Sequence, residues 1–158
     1  YGSSGRGDVR HEGRTGGPAG RHAILGNEIK TDMELTSAPD IDRIIRHLVP
    51  KLPFPYIDPA KITCMRSTHA TSRARARIWS FPKIWQMALK HPPHYIIEVL
   101  SQHFDRLSDD DKTRVIIHEL MHIPKNFSGA LVPHRGLHKR IDHRTVETLF
   151  AMYKNHYD

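Results

Sequence analysis

The stretch from Ser108 to Pro124, SDDDKTRVIIHELMHIP, reads as a single helix that carries its own chemistry. Ser108 is a natural N-cap. Asp109, Asp110 and Asp111 place three negative charges at the positive end of the helix dipole, with Asp111 at the N3 position. Val115, Ile116, Ile117, Leu120 and Met121 supply an apolar side, and Pro124 marks the exit. Inside the helix, His118-Glu119-Leu120-Met121-His122 spells HExxH. The four-residue spacing sets two imidazoles one turn apart on one face, where they can share a Zn²⁺ ion at about 2.0–2.1 Å. Glu119 projects beside them, placed to hold a water molecule and take its proton.

A catalytic zinc site needs a third protein ligand and an open position. The metzincin spacing would put a histidine six residues beyond His122, but Ser128 stands there. His134, His138, His143 and Glu147 remain downstream. His134 lies between Pro133 and Gly136, on a loop able to fold back under the first helix, and is the preferred ligand. His138 is the alternative, and Glu147 a further one. A final helix is expected over residues 137–155 from Ile141, Val146, Leu149, Phe150 and Tyr153, and it would carry His138 and His143. His143 and the histidines before residue 100 read as surface residues.

Upstream, Ile41, Ile44, Ile45 and Leu48 follow helical spacing, with Ser37 and Asp40 as caps and Pro50 as the stop. Ile62–Arg66 reads as a strand. The stretch from Arg73 to Phe81 alternates, with Arg73, Arg75, Arg77 and Trp79 on one face and Ala74, Ala76 and Ile78 on the other. Pro82 opens a short helix, KIWQMALK, which Pro92-Pro93 closes, and Tyr95–Leu100 is a further strand. Trp79 and Trp85 are expected in the core. The fold class is α+β.

The chain has 158 residues, enough for one domain with a tail. Eight of its ten glycines and four arginines fall within the first 26 residues, which have too little apolar content to offset the entropy of ordering. Residues 1–36 therefore read as a flexible basic arm and residues 37–158 as the folded domain. No apolar run approaches the roughly 18 residues of a membrane span. The single cysteine, Cys64, excludes an intrachain disulfide and thiolate-rich metal sites, and suits an intracellular compartment, cytoplasmic or nucleoid-associated. Lys and Arg number 24 against 17 Asp and Glu, a formal charge of +7 that favours anionic partners. DNA or RNA could be met by the arm and by Arg66, Arg73, Arg75 and Arg77.

The stretch VIIHELMHIPKNFSGALVPHRG resembles the phage-type metallopeptidases, small zincins with HELxHIP followed by Phe, Gly and a third histidine. The Arg/Ala strand, IWQMALK, YIIEVL and FDRL are similar to the same family, so the resemblance covers roughly residues 39–150. More distantly the pattern is similar to the SprT-like proteases, including the Spartan group, although the glycine after His134 stands two positions on, at Gly136. The resemblance implies His118, His122 and His134 as ligands of one zinc ion and Glu119 as catalytic base. It also implies a minimal zincin-like fold, a three-stranded, mainly antiparallel sheet packed on the HExxH helix.

A zinc-dependent metallopeptidase acting on a protein or peptide substrate is the function expected from these residues. Tyr153 or His138 could assist at the oxyanion. The substrate is expected to lie along an edge strand, at Tyr95–Val99 or else Arg73–Phe81. The alternative is a nucleic-acid-associated structural or binding protein that keeps a zinc site for stability.

Overall fold

The computed structural model describes residues 32–137 and 140–156. Most of the basic arm lies outside them. The described elements run β1 (Glu34–Ser37), α1 (Pro39–Leu48), β2 (Ile62–Thr68), β3 (Ala76–Trp79), α2 (Lys83–Leu89), β4 (Tyr95–Leu100), α3 (Ser101–Phe104), α4 (Asp109–Leu120) and α5 (His143–Asn155). Two 3₁₀ turns, Val49–Lys51 and Pro59–Lys61, join α1 to β2.

The four strands form one mixed sheet in the order β1-β2-β4-β3. β1 is antiparallel to β2, β2 parallel to β4, and β3 antiparallel to β4. The expected three-stranded sheet is corrected to four strands, and it is mixed: two pairings are antiparallel, as expected of a mainly antiparallel sheet, and β2–β4 is parallel. β1 escaped notice because all four of its residues are exposed, so no alternation marks them. Three of them, Glu34 to Thr36, fall within the stretch assigned to the arm. They pair in register with Thr68, Ser67 and Arg66.

β4 pairs on both sides, and five of its six residues are buried, as a central strand requires. This removes Tyr95–Val99 as a substrate edge and leaves β3, within the alternative stretch, on the edge. Only Ala76–Trp79 of the stretch 73–81 is strand, so Arg73 and Arg75 precede it.

Helix α1 turns Ile41, Ile45 and Leu48 into the core and starts with Pro39 at its first position. Its N-cap is Ala38 without a side-chain hydrogen bond, so neither Ser37 nor Asp40 caps it. Asp40 instead grips Arg66 of β2 in a fork, Nη1 to Oδ1 at 3.0 Å and Nη2 to Oδ2 at 2.7 Å. Arg66 also donates to Asp105, just past α3, at 3.1–3.2 Å.

Helix α2 inverts the usual amphipathic plan. None of its residues is buried; Ile84, Trp85, Met87 and Leu89 are exposed. Its polar side faces the protein through Gln86, whose amide donates to the carbonyls of Phe81 and Ser128, both at 2.8 Å. Trp85 and Trp79 are thus surface residues, contrary to expectation. The helical spacing of KIWQMALK is real, but hydrophobicity does not say which side is attached.

The final helix begins at His143, six residues later than expected, because Asp142 forms a capping box with Thr145. No helix among the described residues is long and apolar enough to cross a membrane.

Candidate metal centre

Helix α4 starts where the sequence dictates but ends at Leu120, short of Pro124, so His122 lies in the turn that follows it. The Ser108 hydroxyl accepts the N–H of Asp111, and Ile116, Ile117 and Leu120 are buried in the core shared with β4 and α1. That packing fixes the last turns of α4, which carry His118, and the turn beyond it, which carries His122, against the loop 124–134. Their ring centroids are 5.3 Å apart. His134 comes back over them, 5.1 Å from His118 and 4.5 Å from His122 between centroids. The three residues offer one nitrogen each, all within 4.8 Å of one another.

Two contacts orient these rings. The Nε2 atoms of His118 and His134 face each other at 3.1 Å. Ligands of a tetrahedral zinc ion at about 2.0–2.1 Å would stand roughly 3.3–3.4 Å apart, so the pair is already close to the required spacing. His122 donates through Nδ1 to the Val132 carbonyl at 2.6 Å. This fixes its tautomer and leaves Nε2 as the ligating atom, the usual outer-shell arrangement for a metal-bound histidine. Burial, with His122 and His134 close by, pushes the His118 imidazole down to about 4. It is therefore a neutral donor at ordinary pH. The residues present fit a metal ion, and three imidazoles suit zinc and its transition-metal neighbours rather than calcium or magnesium.

Glu119 and His122 are each only 8% exposed. Burial pushes the Glu119 carboxyl up to about 7, with the Ile78 backbone of β3 pulling the other way. A carboxyl in that range can both take and return a proton near neutrality. A cleft of about 410 Å³ opens between β3 and α4, lined by Ala76, Arg77, Ile78, His118, Glu119 and His134 among others.

The family of the chain follows from a match over most of its length. Residues 33–153 match the model of the family described as putative phage metallopeptidase. The chain belongs to that family. The match takes in the whole sheet and the three histidines of this metallopeptidase-family chain. No curated protein and no solved structure matches it.

The remaining expected site residues separate. His138 lies outside the described residues. Glu147 is not with the histidines but pairs with Arg114 at 2.6 Å. His143 is exposed at the start of α5, as expected of a surface residue. Tyr153 turns toward α1, its hydroxyl 2.9 Å from His47 Nδ1. Arg66 is held by Asp40 and Asp105, and Arg77 lies 2.8 Å from the buried Glu98, which also accepts from Trp79 Nε1 at 2.9 Å. The four arginines thus do not form one open face.

Sequence reasoning placed His134 on this loop but missed the contacts that anchor the loop. Gly129 adopts φ +91, and a Cβ there would sit 2.4 Å from both Phe81 O and Gln86 Nε2. Its N–H donates to the Tyr95 hydroxyl at 2.8 Å, and that hydroxyl donates to Ala130 O at 2.8 Å. A glycine four residues before Pro133 was the available signal. The carbonyl of Val132, being backbone, left none.

Proposed function

We propose that the chain is a zinc-dependent metallopeptidase with Glu119 as general base. The observation that supports this reading best is the convergence of three imidazole nitrogens beside a buried carboxyl, in a cleft bordered by the edge strand β3. Among the described residues no fourth His, Cys, Asp or Glu joins the three histidines. Structural zinc sites close with four protein ligands, and Glu147, one candidate for the fourth, is instead paired with Arg114.

His118, His122 and His134 would hold the ion. When bound, it would polarise the scissile carbonyl and make water a better nucleophile at neutral pH. The chain's own residues do the rest. An extended substrate would lie along β3, on the backbone edge that faces away from β4 and where the Ile78 backbone already meets Glu119. Glu119 would take the proton of the attacking water at its carboxylate oxygen. It would then deliver that proton to the leaving amine nitrogen, so the carboxylate is restored in each turnover.

The test is paired. Protein purified without chelator should contain about one zinc per chain and cleave an unfolded protein substrate. Glu119→Gln should keep the zinc and lose at least about a hundredfold in rate. Absence of any transition metal, or cleavage undiminished in Glu119→Gln, rejects the reading.

A further inference from the structure

We infer that the cleft on the α5 side of Glu119 selects a glutamate side chain of the substrate through the guanidinium of Arg75, an inference that rests on the metallopeptidase reading. Two clefts meet at the site. The first, between β3 and α4, is described above; the second, of about 430 Å³, shares Ala76, His118 and Glu119 with it. A peptide laid across Glu119 therefore places residues in both.

The second cleft has apolar walls from Ala76, Val115 and Val146, with Arg75, Asp111, Arg114 and His143 as its other polar members. The charges of Arg114 and Asp111 are already committed. Arg114 pairs with Asp111 at 2.9 Å and with Glu147 at 2.6 Å, and its guanidinium carbon lies 4.1 Å from the Phe150 ring centroid. Arg75 differs. It is exposed, and no carboxylate among the described residues is within ion-pair distance of it. The sequence holds no Asp or Glu from Pro59 to Ile97, so none is nearby along the chain. Its backbone is fixed, because its carbonyl accepts the Leu100 N–H at 2.9 Å, just before β3 begins.

An uncompensated guanidinium beside apolar walls recognises a carboxylate carried on a short aliphatic stem. The two methylenes of glutamate would contact Ala76, Val115 and Val146, and the carboxylate would meet the guanidinium fork in charge-assisted hydrogen bonds. Aspartate is shorter by one methylene. A lysine or arginine at that substrate position would bring like charge against Arg75 and be disfavoured.

The experiment digests a pool of unstructured peptides with the zinc-loaded full chain and reads every cleaved bond by mass spectrometry. The wild type should enrich glutamate about tenfold at one fixed position beside the cleaved bond. Arg75→Glu should abolish that enrichment and raise lysine and arginine at the same position, while Arg75→Lys should retain part of it. Circular dichroism of each variant checks the fold, and Arg75→Gln replaces Arg75→Glu if the latter does not fold. Cleavage without glutamate enrichment, or enrichment that survives the loss of the positive charge, overturns the inference and leaves the peptidase reading intact. Failure of the zinc-loaded wild type to cleave any bond overturns that reading and this inference with it.

Discussion

His122 and Val132 are joined in both directions. The Val132 N–H donates to the His122 carbonyl at 2.7 Å, and the His122 ring donates to the Val132 carbonyl at 2.6 Å. One residue of the loop thereby ties down the turn after α4 and orients the second histidine of HExxH. Val132→Pro removes the first of these bonds by deleting the donor. The carbonyl that orients the His122 ring then loses its anchor, and zinc binding is expected to weaken by up to about 10- to 100-fold, the range for a disturbed outer-shell contact. Competition against a chromogenic chelator measures this directly, and an unchanged affinity would show that the link is idle.

The three ligands should behave as a set. Alanine at His118, His122 or His134 is expected to abolish stoichiometric zinc, whereas His138→Ala and His143→Ala should each retain about one zinc per chain. Elemental analysis of the five variants decides it. Loss of zinc in His138→Ala with retention in His134→Ala would transfer the third ligand to His138.

Gly129→Ala should destabilise the fold by about 2–3 kcal/mol, because a side chain at positive φ is strained. Its Cβ would also collide with the Phe81 carbonyl, which is backbone and cannot swing aside as a long side chain would. Thermal unfolding of the metal-free form reads the loss without the contribution of bound ion. A melting temperature equal to that of the parent protein would contradict the strained geometry.

Arg66 and Arg73 separate structural charge from surface charge. Arg66→Ala strips partners from Asp40 and Asp105 and is expected to cost about 1–3 kcal/mol, whereas Arg73→Ala should change stability by less than about 0.5 kcal/mol. The hydrogen bond from Arg66 holds the Asp40 carboxyl below its usual value, against the opposing effect of burial. The folded pKa is depressed, so this stabilisation is present above the unfolded value near 3.8 and lost as pH falls through the folded value. Asp40→Asn should therefore be less stable than the parent at pH 7, and the difference should close in acid. A gap that stayed constant from pH 7 to about pH 2 would refute the linkage.

Cys64 lies buried on β2 and its thiol is pushed up to about 12, chiefly by burial and then by the charges of Asp42 and Asp40. It should resist alkylation at pH 8 in the folded protein and react only as fast as the chain opens. Rapid labelling of native protein by iodoacetamide would contradict this burial.

The site was more legible in the sequence than the sheet around it. HExxH carries its geometry in a four-residue spacing, and the Ser108 cap and acidic first turn fix where that helix starts. His134 was preferred from its Pro and Gly neighbours, and it joins the cluster. Pattern was silent where the backbone itself decides. The exposed strand β1 has no buried alternate residues, and strand order depends on pairing between residues 62–67 and 95–100, which no local pattern records. Trp79 and Trp85 misled because apolar character predicts burial only on average. In this chain a glutamine amide does the anchoring, and the apolar residues remain outside.

The central place of β4 sets a timetable for the growing chain. As residues leave the ribosome, β1 and β2 can pair with each other, but a two-stranded ribbon is marginal in water. β3 has no partner at all until Tyr95–Leu100 emerge, since β4 is its one neighbour in the sheet. The parallel pairing of β2 waits for the same six residues. Formation of the sheet is therefore deferred to one late event, and the histidines of positions 118–134 emerge only after it becomes possible. A chain interrupted before Leu100 would hold neither a sheet nor a place for an ion, so nascent fragments of this protein would remain chemically silent.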